Sequence, residues 1–163
     1  LVQELTENTV TGGVSMINRA LAQIWTGKEE HELLMHDWYL GLLAAAFGNL
    51  VYIDKPGELY RQHSNNVLGA RTLRKRVKNW VRPHVLFAKY WKLIKDSQTQ
   101  ARNLLVLPLT AENRELIENF VTIMEVPFKE RWRRIRRYGY RKNRTFHTLV
   151  FTSLILTKFA YKE

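Results

Sequence analysis

The chain has 163 residues, no cysteine, 45% hydrophobic residues and a formal charge of +11. Enough apolar material is present for a buried core, so wholesale disorder is excluded, and a disulfide framework or thiolate zinc site is excluded outright. So strong a basic excess points to anionic partners: phosphate, nucleic acid or lipid headgroups.

In chain order, Thr9–Ile17 mixes β-branched residues with the Gly12-Gly13 pair and predicts a loop running into a short strand. Asn18 is placed to cap a helix through Arg19, Leu21, Ile24 and Trp25, with Gly27 ending it. Asp37 is a helix cap or first-turn acid for an apolar helix from Trp38 to Phe47, stopped by Gly48. Apolar nearly all round, that helix is expected to be buried. Leu50-Val51-Tyr52-Ile53 has the composition of a short buried strand, Asp54–Gly57 that of a turn, and Glu58–His63 alternates like a second strand closed by Ser64-Asn65-Asn66.

The period then changes. Leu73, Val77, Trp80 and Val81 recur at helical spacing, as do Leu86, Tyr90, Leu93 and Ile94, with Pro83 as a kink or break. Thr110–Asn113 opens a further helix through Leu116, Ile117, Phe120 and Met124, ended by Pro127. A basic stretch, 131–144, and an apolar one, Phe146–Tyr161, complete the chain.

The charge divides along the same seam. Residues 1–63 carry four cations against eight carboxylates; residues 64–163 carry twenty-two against seven. Two parts are therefore expected: an α/β segment over 1–66 and a basic helical extension over 67–163. The chain opens at Leu1 with no basic leader, which suggests a piece of a longer protein. No apolar run reaches the roughly 20 residues that a membrane span needs.

Three pieces in series resemble the second half of the catalytic domain of family 2 glycosyltransferases, in particular the bacterial rhamnosyltransferase-like branch. They are Thr11-Gly12-Gly13 followed by Asn18-Arg19-Ala20-Leu21; His36-Asp37-Trp38-Tyr39-Leu40; and Tyr52-Ile53-Asp54 with Leu59–Asn66. The resemblance covers a little over a third of the chain. It implies a GT-A fold and transfer of a sugar, rhamnose in that branch, from a nucleotide-sugar donor to a saccharide or lipid-linked acceptor hydroxyl, in bacterial cell-surface polysaccharide synthesis. It implies a divalent metal, Mg or Mn, held mainly by an Asp-x-Asp in the preceding half of such a domain. The three aspartates here, Asp37, Asp54 and Asp96, form no such motif. This stretch alone is therefore expected not to catalyse transfer.

Within that resemblance Asp37 is the candidate catalytic base, since an incoming hydroxyl must lose its proton to a carboxylate at hydrogen-bond range. A plain helix cap explains an aspartate there as well. His36 and Trp38 beside it, with Gly12 and Gly13, are the candidate acceptor or sugar contacts; the glycines serve equally well as a turn. Arg61 and His63 share one strand face and are the candidate contacts to the donor diphosphate, with His63 also a metal ligand. A salt bridge from Arg61 to Asp54 or Glu58 is its structural alternative.

The second half interleaves cations with aromatics. Nine basic residues and no acid lie in 71–95, with Trp80, Phe87, Tyr90 and Trp91; nine basic residues and Glu130 lie in 129–144, with Trp132, Tyr138 and Tyr140. This suits a peripheral protein on the anionic inner face of a membrane. A solvated bundle face, a subunit-assembly module and a nucleic-acid surface are the alternatives; no reading motif supports the last.

Overall fold

The computed structural model describes residues 1–25, 33–58 and 83–161, apart from the side chains of 83 and 84. Seven α-helices occur among them: α1 (Val2–Thr6), α2 (Arg19–Trp25), α3 (His36–Phe47), α4 (Pro83–Arg102), α5 (Ala111–Val121), α6 (Phe128–Tyr138) and α7 (Thr145–Thr157), with a 3-10 turn at Gly12–Val14. The α/β, GT-A-like architecture expected for residues 1–66 is overturned: no strand and no sheet occur among the described residues. A strand exists only by pairing with a neighbour. Leu50–Ile53 forms no strand or bridge and is exposed along its whole length, and the Gly pair opens a 3-10 turn instead of feeding a strand. Of the second expected strand only Glu58 lies among the described residues; the helical pattern over 73–81 lies outside them.

The helices start and stop on local chemistry. Asn18 Oδ1 accepts the backbone N–H of Leu21 at 2.9 Å, which caps α2. Thr110 Oγ1 accepts from Asn113 N at 3.2 Å and caps α5. Pro83 is the first described residue of α4; the residues before it, on which a kink or break there depends, lie outside the described ones. Pro127 precedes α6. Gly139 ends α6 in the left-handed region at φ 67°, with its N–H donating to Ile135 O at 2.9 Å.

Packing follows the apolar periods. In α4, Trp91, Ile94 and Ala101 lie along one buried face; in α5, Leu116, Ile117, Phe120 and Val121 do so. α4 packs on α5, α6 on α7, and α2 on α3, while the short α1 touches α3, α4 and α5. One core therefore joins Leu5, Tyr39 and Leu42 to Ile94, Ile117, Phe120 and Phe151. Tyr140 is sealed within it, its hydroxyl donating to Leu116 O at 2.8 Å and its ring 5.2 Å from Phe120.

Polar ties fasten the two ends of the chain. Lys142 Nζ donates to Thr6 O, Thr6 Oγ1 to Arg141 O, and Asn143 N to Glu7 Oε2 at 2.9 Å. Burial lowers the Lys142 pKa, against the opposing pull of Glu7. Arg131, a member of the basic run, is buried: its guanidinium donates to Val126 O at 2.5 Å and Leu156 O at 2.9 Å.

Candidate functional site

Three segments distant in sequence converge at the start of α3. The 3-10 turn brings Gly12 so close to the helix that a Cβ there would lie 3.0 Å from His36 Nε2 and 3.5 Å from Asp37 Cβ. A Cβ on Gly13 would lie 3.1 Å from a Glu58 carboxylate oxygen, and one on Gly57 3.1 Å from Val14 Cγ1. The Gly12–Val14 backbone is thus clasped between the first turn of α3 and the 57–58 segment. A side chain at either glycine would need the tip of His36 or Glu58 to move aside by a few tenths of an ångström.

Asp37 sits in that first turn, with Met35 in the capping position. Its Oδ1 accepts the backbone N–H of Trp38 at 2.7 Å and Asn8 Nδ2 at 3.2 Å. Asn8 is itself fixed, because its Oδ1 accepts Val10 N at 2.9 Å. Among the described residues Oδ2 has no hydrogen-bond partner. One carboxylate oxygen is held and the other is open, which is an arrangement able to take a proton from a hydroxyl.

Trp38 faces inward. It is buried, and its indole N–H donates to Glu4 O at 2.7 Å. It supports the floor of the cluster and does not line it, whereas His36 is exposed beside Gly12. Arg61 and His63, the diphosphate and metal candidates, lie outside the described residues. Gly12, Gly13, His36 and Asp37 are the candidates that the fold brings together. Asn8 and Glu58 join them; nothing in the Glu7-Asn8-Thr9 run announced Asn8, while Glu58 had pointed only to a salt bridge.

Hollows of about 440 and 450 Å³ lie elsewhere, the first lined by Gln3 and residues of 141–148, the second by Lys95, Arg102, Lys158 and Tyr161. Among the described residues no three His, Asp or Glu side chains form a group that could hold a metal ion. No described helix is long and apolar enough to cross a membrane. No protein-family profile, curated protein or solved structure matches the chain.

Proposed function

We propose that the chain forms the acceptor side of a glycosyltransferase acting on a nucleotide-sugar donor, with Asp37 as the base. The observation that carries the reading is the close approach of Gly12 to His36-Asp37, with Asp37 fixed through one oxygen and open at the other among the described residues. In the reaction the acceptor hydroxyl gives its proton to Asp37 Oδ2 as its oxygen bonds to the anomeric carbon. The bond from that carbon to the nucleoside diphosphate breaks with the electron pair leaving on the diphosphate, and the configuration inverts. His36, exposed at the rim, is positioned to donate to or accept from the acceptor. Donor recognition falls to polypeptide beyond the described residues, Arg61 and His63 among it.

In this reading the protein works as a peripheral protein at the cytoplasmic face of a membrane, where a lipid-linked acceptor is concentrated. The basic, aromatic composition of the second half supports that placement.

The test is sugar transfer from a panel of nucleotide-sugars to saccharide and lipid-linked acceptors by the protein that carries this chain. Asp37→Asn is expected to lower turnover by about 10²–10⁴-fold, with helical circular dichroism and thermal unfolding unchanged. Turnover near that of the unaltered protein would remove Asp37 from the chemistry.

A further inference from the structure

The basic run that ends in α6 is not uniformly a surface charge. The helix carries six cations, Lys129, Arg131, Arg133, Arg134, Arg136 and Arg137. Arg131 is buried on backbone carbonyls. Arg134 is bound to Glu130 at 3.1 Å and to Thr122 Oγ1 at 2.9 Å. Arg133 reaches Glu130 at 2.6 Å, and Arg137 reaches Glu115 at 2.8 Å. Lys129 and Arg136 have no carboxylate partner among the described residues.

Those two flank an apolar edge. Phe128 is 53% exposed and Trp132 46% exposed. At 3.6 residues per turn, Phe128, Trp132 and Arg136 form one stripe at i, i+4 and i+8, with Lys129 and Arg133 in the next row. The Arg136 guanidinium lies 5.6 Å from the centre of the Trp132 ring, so the cation and the indole are presented as a unit. The face adjoining Phe128, made by Arg131 and Ile135, is locked into the protein, so the stripe runs along the edge of the packed side.

We infer that this stripe of α6 is the surface by which the protein lies on an anionic bilayer. The inference deepens the membrane-surface part of the proposed function and rests on it. Phe128 enters the acyl boundary, the Trp132 ring sits at headgroup level, and Lys129 and Arg136 meet lipid phosphates. Charge complementarity selects the partner, and the apolar half of the stripe separates it from a nucleic-acid surface. Cations on a phosphate backbone need no exposed phenylalanine beside them.

The experiment is co-sedimentation of the full 163-residue chain with phosphatidylcholine vesicles containing none or about a third phosphatidylglycerol, at low and high salt. Binding is expected only to the anionic vesicles, and it weakens with salt as the Debye length shrinks from about 10 Å at 0.1 M to about 3 Å at 1 M. Lys129→Gln with Arg136→Gln is expected to lower partitioning about 30-fold at low salt. Phe128→Ser with Trp132→Ser lowers it about tenfold or more. The charge-matched control Arg19→Gln with Arg102→Gln, at exposed positions on α2 and α4, retains binding. Brominated lipid provides a second readout: it quenches the unaltered protein more than Trp132→Phe. If the chain binds anionic vesicles and the α6 variants bind as well as the control, the stripe is wrong while the membrane reading stands. If the chain ignores all vesicles, both fail. Tighter retention on duplex DNA than on vesicles at the same salt overturns the assignment in favour of nucleic acid.

Discussion

Single atoms decide much of this molecule. Gly41, in the middle of α3, lies where a Cβ would come 2.8 Å from Val10 Cγ2 and 3.0 Å from Glu4 Oε2. Helix propensity alone favours alanine there by about 1 kcal/mol, but the collision is with a branched side chain and a buried carboxylate. Glu4 is held by Thr9, whose hydroxyl and N–H both donate to it. Gly41→Ala is therefore expected to destabilise the protein by about 1–3 kcal/mol, read as a fall in the urea midpoint with unchanged slope. The site residues were legible at this scale to different degrees. His36-Asp37 stood out because a carboxylate at the start of an apolar helix is conspicuous. Asn8 did not, since an asparagine in a short polar loop is ordinary until the fold sets it 3.2 Å from Asp37. Trp38 was expected beside a ligand and is in the core, because an apolar helix offers no sequence clue to which side of its first turn faces inward.

Among the elements, the helices were the readable part. Asn18, Gly48 and Thr110 mark the ends of α2, α3 and α5 as expected, and such signals are local; Pro127, expected to end the helix through Met124, instead precedes α6, because α5 already stops at Val121. α1 escaped because five residues show no period. The strands failed for the opposite reason: β-branched and aromatic residues describe a surface that fits a sheet, not the presence of a partner strand. The end of α6 gives a clean test of local chemistry. Gly139 adopts φ 67° with no atom within 4 Å of the Cβ it lacks, so a substitution there meets backbone strain and nothing else. Gly139→Ala is expected to lower stability by about 1 kcal/mol, and Gly139→Asn by less, measured as shifts in thermal midpoint.

The whole molecule is held by one core that α1 and α3 share with the later helices, and Tyr140 sits at its centre. Burial, followed by the neighbouring Tyr138, pushes the Tyr140 phenol far above its ordinary value; burial, followed by Glu115, raises Tyr138 as well. A phenol whose folded pKa is raised binds its proton more tightly in the native state. Its contribution is fully present below the unfolded value of about 10 and is lost as pH rises beyond it. The chain is expected to lose stability steeply above about pH 10, and Tyr140→Phe to flatten that loss at a cost of about 1 kcal/mol at neutral pH. Unfolding midpoints between pH 7 and pH 11 check both statements. The charge split seen in the sequence carries over only in part at this scale. Arg131 and Lys142 look like surface cations in a string of letters, yet one is buried on carbonyls and the other is half-buried with its ammonium on Thr6 O.

The uncovered stretch Leu50–Ile53 has a colloidal consequence. Four large apolar side chains stand in a row, Val51 at 82% and Tyr52 at 86% exposure. Exposed, apolar and uncharged, the segment is suited to stack against its own copies in other molecules, with Asp54, Lys55 and Pro56 as gatekeepers on the C-terminal side. Concentrated solutions are therefore expected to form thioflavin-positive fibrils after a lag. Val51→Lys, at a position 82% exposed, should lengthen that lag severalfold without moving the thermal midpoint.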